Sequence, residues 1–264
     1  MMRSAKSSFE EYGSFKPASG AAILAGALLV ASVGLSQAAP TQATFSTSDD
    51  AGRALVSALQ AHDERTVTQI LGGGTEIVGA DNKVEDALER QHFVQKYQEM
   101  HRWVRESDEI KTLYIGAENW SFPVPLVSSN GVWRFDSKAG SDEIRFRRIG
   151  ENELMAIGLC GTLVKAKLSP GTGTEADGLV KTLLPLKSAN KPLPLHGYRF
   201  RMPSKSDGSF TAIAYPAMYR SSGVMTFIVT QDGSVWEKDL GPSTANIAET
   251  MTNYRPDATW TRAE

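Results

Sequence analysis

Histidine and carboxylate side chains are the first candidates for chemistry, because a metal site or an acid–base pair needs them at defined spacing. His92 and His101 fall in one predicted helix, from Glu85 to about Val104, and lie nine positions apart. Nine positions correspond to about 180° around a helix axis, so the two imidazoles point to opposite sides and cannot share a metal. Glu89 and His92 have the i,i+3 spacing of a Glu-x-x-His half-site, but the sequence has no second copy of it. The spacing therefore predicts no metal and no cofactor.

Nucleophile and phosphate-binding motifs do not stand out either. Ser221-Ser222-Gly223 lies between two predicted strands, where serine and glycine are typical of a turn. Gly171-Thr172-Gly173 has neither the third glycine of a dinucleotide loop nor the Gly-Lys-Ser/Thr of a phosphate loop. Asp136, Asp142 and Glu143 could supply an acid–base pair if folding brought two of them together, although carboxylates beside a turn are usually solvated. The sequence therefore identifies no catalytic residues. We favour a protein without enzymatic activity, and an enzyme is the alternative.

Aromatic side chains near the predicted C-terminal sheet are the best candidates for binding. His196 and Tyr198 flank the start of one predicted strand, Tyr215 ends the next, and Tyr219 follows it. These four residues could line a ligand cleft at one end of the sheet. The alternative is that they close the rim of a core, since tyrosine combines an apolar ring with a polar tip.

Composition limits the classes of partner. Formal net charge is −2 and charged residues make up 22% of the chain, so no strong basic field is available to bind nucleic acid. Arg145, Arg147 and Arg148 lie among acidic neighbours, which favours local ion pairs over an anion site. The chain has one cysteine, Cys160, so an internal disulfide framework is excluded and we expect this thiol in a core.

Residues 1–38 have the features of a signal peptide. Three basic residues precede a long charge-free stretch, and the apolar segment Ala21–Leu35 is followed by Ser36-Gln37-Ala38. As a helix this apolar segment would span about 22 Å, which is short for a hydrocarbon core of about 30 Å. We expect cleavage after Ala38, with residues 39–48 as a linker and the rest in the periplasm or secreted. The alternative is an uncleaved inner-membrane anchor that faces the periplasm and contacts the membrane only through residues 17–38.

Helices precede strands in the first half of the remaining chain. The pattern predicts helices over Ala51–Ala61, then to Leu71, and from Glu85 to about Val104. Strands are predicted over Ile110–Ile115, Phe122–Val127 and Val132–Phe135, with Asn130-Gly131 as a hairpin turn. Ile144–Ile149 is either a fourth strand or the start of the next helix. These elements define a predicted α+β domain over residues 49–149.

One helix followed by short strands is predicted for residues 150–264. The helix covers Gly150–Leu168, and a long loop fills residues 169–196. Four strands and a last helical turn follow, over Tyr198–Met202, Phe210–Tyr215, Val224–Thr230, Ser234–Lys238 and Ala245–Met251, with Asp232-Gly233 as a two-residue hairpin turn. We expect Phe227 to pack on an apolar stripe of the helix, formed by Leu154, Ile157, Cys160, Gly161, Val164 and Leu168. The whole chain is thus assigned to the α+β class, with a helix packed on an antiparallel meander as its second domain.

Four segments together resemble a bacterial family called domain of unknown function 2950. They are 118–127, from Glu118 to Val127; 133–136 with 147–154; 196–201, which begins His196-Gly197-Tyr198; and 214–227, which begins Ala214-Tyr215-Pro216. The resemblance covers most of residues 50–262 and implies an exported bacterial protein, but no reaction. More weakly, residues 49–149 resemble NTF2-like folds, and residues 150–264 resemble the head of a pilin or pseudopilin.

The expected function is therefore a non-catalytic envelope protein that acts as a binding or assembly module. Its partner would be an unknown envelope protein or a small ligand. The alternatives are a periplasmic hydrolase or a small-molecule sensor with a pocket in the N-terminal domain. Such a pocket would be lined by two or more of His92, His101, Glu118 and Asp136, with His196 as a further candidate for the hydrolase.

Overall fold

The computed structural model describes residues 41–73, 83–168, 193–203, 210–251 and 256–263, and within residues 40–264 the chain forms one compact unit. The α+β class is confirmed. The helices are α1 (Ser48–Gln60), α2 (Glu64–Leu71), α3 (Lys83–Glu99), α4 (Ser137–Leu168) and α5 (Thr244–Thr250). The strands are β1 (His101–Arg105), β2 (Ile110–Ile115), β3 (Trp120–Ser121), β4 (Leu126–Ser129), β5 (Val132–Phe135), β6 (Tyr198–Arg201), β7 (Thr211–Pro216), β8 (Met225–Thr230), β9 (Val235–Asp239) and β10 (Thr261–Arg262).

The first antiparallel sheet has the order β1-β2-β4-β5, with β3 paired to β2. Asn130 and Gly131 both have positive φ, so the predicted hairpin between β4 and β5 is confirmed. The predicted strand over Phe122–Val127 is only partly correct, because β4 begins at Leu126 and residues 122–125 contain two prolines that cannot donate to a ladder. Helices α1 and α2 cover this sheet, and their apolar sides bury Leu55, Ile70 and Phe135 in one core.

Side-chain caps fix the first two helices. Thr47 accepts a hydrogen bond from the backbone N–H of Asp50 at the start of α1, and Asp63 accepts one from Thr66 at the start of α2. Gly72 ends α2 in the left-handed conformation, with a φ of 69°. Helix α1 therefore begins before the predicted Ala51, whereas α2 ends at Leu71 as predicted.

Helix α4 corrects two predictions. It begins at Ser137, well before the predicted Gly150, and runs without a break to Leu168. Of the two alternatives for Ile144–Ile149, the helix is therefore correct and the fourth strand is wrong. Asp136 accepts a hydrogen bond from the N–H of Ala139, and ion pairs such as Lys138 with Asp142 support the first turns. The domain boundary expected between residues 149 and 150 falls inside this helix. Similarly, α3 ends at Glu99 and residues 101–105 are β1, so the predicted extension of α3 to Val104 is wrong.

The second antiparallel sheet has the order β10-β9-β8-β7-β6 and confirms the four predicted C-terminal strands. The hairpin between β8 and β9 holds Gly233 at a φ of 85°. Hydrogen bonds join Thr230 to both Ser234 and Gly233, so the loop has three residues rather than the two expected from Asp232-Gly233. The expected helical turn near the C-terminus is α5, which begins at Thr244.

Helix α4 covers one face of the second sheet. Phe227 is 1% exposed and lies in a core with Ala156, Cys160 and Val164, which confirms its predicted contact with the helix. The predicted stripe was wrong at Leu154, which is 72% exposed, and at Leu168, which is 50% exposed. Leu154 lies six positions before Cys160, or about 240° around the axis, so the two residues do not share a side.

The other face of this sheet packs on α5 and on the C-terminal segment. Ile213, Tyr215 and Ile228 are fully buried there, against Ala248 and Trp260. The sheet is thus covered on both sides, which explains why β7 and β8 are almost continuously apolar. Across the described residues, no helix is both long and apolar enough to cross a membrane.

Candidate functional site at the end of the second sheet

The four residues expected to bind a ligand do not form one cleft. Tyr198 and Tyr215 lie on neighbouring strands, but the ladder pairs Tyr215 with Arg199 rather than with Tyr198. Directly paired residues point to the same face, so Tyr198 faces α4 and Tyr215 faces α5. His196 and Tyr219 occupy two turns outside the strands. Their role in ligand binding stays a prediction, and the arrangement divides the set between two faces and a surface.

Tyr198 and Glu153 join the sheet to α4. The Tyr198 hydroxyl lies 2.9 Å from the carbonyl oxygen of Met225, to which it donates, and 3.3 Å from Oε1 of Glu153. The same Oε1 accepts hydrogen bonds from the backbone N–H groups of Val224 and Met225, at 2.9 and 3.0 Å. Burial, and then the neighbouring carboxylate, raises the pKa of Tyr198, so the hydroxyl stays protonated and acts as a donor. Glu153 therefore anchors the start of β8 to the helix.

A second group of hydrogen bonds joins the two turns. Ser222 donates through Oγ to the carbonyl oxygen of Gly197 at 2.7 Å, and Asn152 donates through Nδ2 to the carbonyl oxygen of Ser222 at 2.9 Å. Gly223 lies so close to Tyr198 that an added Cβ would be 2.2 Å from its hydroxyl oxygen. The turn at residues 196–197 and the loop at residues 217–224 are thus held together and against α4.

The outer side of this junction is a small exposed surface, which we call the turn surface and define as His196, Met218, Tyr219, Arg220 and Ser221. His196 and Arg220 have positive φ values of 46° and 60°, which non-glycine residues adopt at a cost. Met218 is 62% exposed. The Tyr219 hydroxyl donates to Oδ2 of Asp239 at 3.0 Å, and the Arg220 guanidinium lies over the Tyr219 ring. This surface presents a cation, an imidazole and a thioether on a firmly held backbone.

Tyr215 has a different environment on the opposite face. Its hydroxyl is buried and forms no hydrogen bond with the residues that the structure describes, and the same is true of Oγ1 of Thr226. Burial, and then the Glu249 carboxylate, raises the pKa of Tyr215, while Arg199 and Arg201 act in the opposite direction. This tyrosine is therefore a neutral core residue and is not part of the turn surface.

Three of the four side chains considered for an N-terminal pocket are held by local partners. Glu118 forms an ion pair with Lys96 at 2.9 Å, and Asp136 caps α4. His101 stacks on the ring of Tyr97, with centroids 3.8 Å apart, and its Nδ1 lies 2.9 Å from the Tyr97 carbonyl oxygen. His92 is exposed on α3.

The other acidic candidates, Asp142 and Glu143, pair with residues of the same helix, as expected for a local network. Hydrogen bonds to Lys138 and then Arg145 hold the pKa of Asp142 below its ordinary value. Such a carboxylate is a weak base, which argues against a role in proton transfer. In the described segments no group of three or more histidine, cysteine or acidic residues could hold a metal ion.

Sequence reasoning missed the residues that hold the turn surface in place. Asn152 and Glu153 lie inside α4 and were not singled out as site residues, and Ser222 was assigned only to a turn. Their contacts join positions about 70 residues apart, as in the Asn152–Ser222 and Glu153–Val224 pairs. A local pattern does not show such contacts. The available signal was that the segments at 147–154, 196–201 and 214–227 are three of those that carry the family resemblance, and these segments meet here.

Of three comparisons with known proteins, one gave a match, and it agrees with that resemblance. Searches of curated proteins and of solved structures found no match. The family described as "Protein of unknown function (DUF2950)" matches residues 42–182 and 186–263. These ranges include α4, both sheets and the turn surface. The chain therefore belongs to the DUF2950 family of proteins of unknown function.

Proposed function

We propose that the protein is exported and acts outside the cytoplasm as a non-catalytic binding or assembly module, and that the turn surface contacts an envelope protein. The observation that carries this proposal is the left-handed backbone of two exposed non-glycine residues, His196 and Arg220. Such conformations persist where the surrounding structure enforces them, and they concentrate at functional sites.

The contacts behind the turn surface suit recognition. Ser222, Asn152 and Glu153 fix the backbone on one side, so the exposed side chains of Met218 and Arg220 start from a well-defined position. A preorganised surface loses little conformational entropy on binding. Arginine and methionine are both enriched at protein–protein interfaces, because one gives directional hydrogen bonds and the other adapts its shape. These features favour a protein partner over a reaction.

Photo-crosslinking tests the proposed contact. A photoreactive phenylalanine analogue is placed at Met218 or, in a separate variant, at Val132, which is 46% exposed on the first sheet. We expect a discrete adduct with an envelope protein from position 218 in living cells and none from position 132. An absence of adducts from position 218, or the same adducts from both positions, would count against the turn surface.

Arg220→Gly separates function from stability. Glycine adopts positive φ freely, so this change should raise the free energy of unfolding by about 1 kcal/mol. The same change should abolish the adduct from position 218, because the guanidinium is lost. A loss of stability in Arg220→Gly would show that the left-handed backbone at this position is not strained. An intact adduct would show that the Arg220 guanidinium takes no part in the contact.

Export rests on the sequence of residues 1–38. A charge-free apolar segment follows a basic one and ends in small residues suited to a signal peptidase. Mass spectrometry of the protein from fractionated cells tests this directly. We expect a chain that begins at Ala39 in the periplasm or the medium. An intact chain in the membrane fraction would support the anchor instead, and an intact chain in the cytoplasm would refute export.

A further inference from the structure

The solvent side of helix α4 over its second half is unusually apolar. Leu154 is 72% exposed and Met155 is 52% exposed. Gly158 and Gly161 lie on the same side, and an added Cβ at either position would meet nothing within 4 Å. Glycine is less favourable than alanine inside a helix, and no contact in the described structure uses the missing Cβ. We define this region, residues 151–165 on the solvent side, as the open side of α4.

The residues of the open side are arranged symmetrically about Gly158. Glu151 and Lys165 lie seven positions before and after it. Leu154 and Met155 lie four and three positions before it, and Gly161 and Thr162 lie three and four positions after it. At about 100° per residue, all of them fall within about 60° of the direction of Gly158. Large side chains thus occupy one half and small ones the other, with opposite charges at the two ends.

We propose that two copies of the chain pair through this side, with their α4 helices antiparallel and a two-fold axis at Gly158. In this arrangement Leu154 packs on Thr162 of the partner subunit, and Met155 packs on Gly161 of the partner subunit. The absence of side chains at Gly158 lets the two backbones approach closely at the crossing point. Each large residue therefore meets a small one, twice by symmetry.

Charge selects the antiparallel direction. Glu151 and Lys165 are exposed and form no ion pair within the described part of the chain. Around the proposed axis, Glu151 meets Lys165 of the partner subunit at both ends of the contact. A parallel pair would instead place like charges side by side, which is unfavourable. The surface is complementary to itself, which is why we assign it to a second copy. This inference does not depend on the proposed function of the turn surface.

Cysteine crosslinking tests the geometry in the full chain. Gly158→Cys places a thiol on the two-fold axis, so we expect a disulfide-linked dimer under mild oxidation. The native Cys160 is fully buried and does not compete. Glu151→Cys and Lys165→Cys each place two thiols about 21 Å apart along the contact, so neither should crosslink alone. The double variant Glu151→Cys/Lys165→Cys should crosslink efficiently, because the two positions meet across the axis.

Charge reversal tests the same contact without crosslinking. In analytical ultracentrifugation, Lys165→Glu should raise the dimer dissociation constant at least about tenfold, because it creates two like-charge contacts. Adding Glu151→Lys should restore most of the affinity. Recovery in the double variant would separate a direct contact from a general loss of folding.

Three outcomes would overturn the proposal. One is a chain that stays monomeric in the ultracentrifuge and gives no disulfide from Gly158→Cys. Another is efficient crosslinking of Glu151→Cys alone, which would show a parallel pair. The last is a dimer that forms equally well with Lys165→Glu, which would place the contact elsewhere.

Discussion

Phe227 illustrates how one buried residue joins the second sheet to α4. Its ring lies among Ala156, Cys160 and Val164 and is tilted against Tyr198, with centroids 5.9 Å apart. Phe227→Ala should lower the free energy of unfolding by about 3–5 kcal/mol, because it removes buried area and leaves a cavity. Chemical denaturation measures this loss. Phe146→Ala is the matched control, since Phe146 is 60% exposed and its loss should cost less than about 0.5 kcal/mol. Similar effects of the two changes would contradict the packing described here.

Glu153 contributes through hydrogen bonds rather than through packing. Its Oε1 accepts hydrogen bonds from the backbone N–H groups of Val224 and Met225 and lies within hydrogen-bond distance of the Tyr198 hydroxyl. Glu153→Ala should destabilise the protein by about 2–3 kcal/mol, because it leaves part-buried backbone donors unpaired. Glu153→Gln keeps an acceptor oxygen and should cost clearly less, and thermal melts of the two variants measure the difference. An alanine variant as stable as the wild type would mean that water replaces the carboxylate.

Two glycines make a matched pair for a steric test. At Gly223 an added Cβ would overlap Tyr198, whereas at Gly150 it would meet nothing within 4 Å. Gly223→Ala should therefore destabilise the protein by about 1–3 kcal/mol, and Gly150→Ala should stabilise it by about 0.5–1 kcal/mol through helix propensity. Opposite signs in denaturant titrations are expected. If both changes stabilised the protein, Gly223 would not be confined by Tyr198.

Single residues were predictable from the sequence when their role was local. The burial of Cys160 and the inward position of Phe227 followed from periodicity. Leu154 was misassigned because an i,i+3 spacing to Ile157 looked like one apolar stripe, while the true contact runs through Ala156, Cys160 and Leu163. Glu153 could not be found in this way, since its partners lie on a strand 71 and 72 residues further along the chain.

At the scale of elements, alternation and turn residues predicted most strands correctly. The β4–β5 hairpin and strands β6 to β9 follow from patterns of fewer than ten residues. Helix and strand signals overlap at residues 100–104, where the predicted helix is wrong, and at residues 144–149, where the sequence left both open. Residues 101–105 form a strand because they pair with β2. Residues 144–149 are helical because ion pairs between residues 138 and 147 stabilise the first turns of α4. Tertiary pairing decided one case and local charge spacing the other.

The start of α4 depends on its cap. Asp136 accepts a hydrogen bond from the N–H of Ala139 at 3.1 Å. Asp136→Ala should lower the free energy of unfolding by about 1 kcal/mol, whereas Asp136→Asn should be close to neutral, because asparagine is an equally good N-cap. Denaturant midpoints measure both. Equal losses for the two variants would show that the negative charge matters rather than the cap.

At the scale of the whole molecule, α4 is shared by both sheets. Near its start, an added Cβ at Gly140 would lie 2.7 Å from the side chain of Val124, beside the first sheet, while Cys160 faces the second sheet. These two positions are twenty residues apart, or about 200° around the axis, so the helix uses nearly opposite sides for its two contacts. Arg147 adds hydrogen bonds to the backbone and side chain of Ser121 at the first sheet.

A shared helix should couple the two halves in unfolding. We expect one transition in scanning calorimetry, with a van't Hoff enthalpy equal to the calorimetric enthalpy. The physical reason is that loss of either core removes the packing that supports α4 for the other. Two resolved transitions would instead support independent domains that meet near residue 150.

The burial of Cys160 has a practical consequence for following motion in this protein. It is the one thiol of the chain, it is fully covered, and burial raises its pKa, so the reactive thiolate does not form while the core is closed. A soluble thiol reagent can therefore modify the native protein only during moments when α4 separates from the sheet. The rate at which Cys160 is labelled in the unaltered chain therefore reports the opening of this core, and the measurement requires no engineered probe.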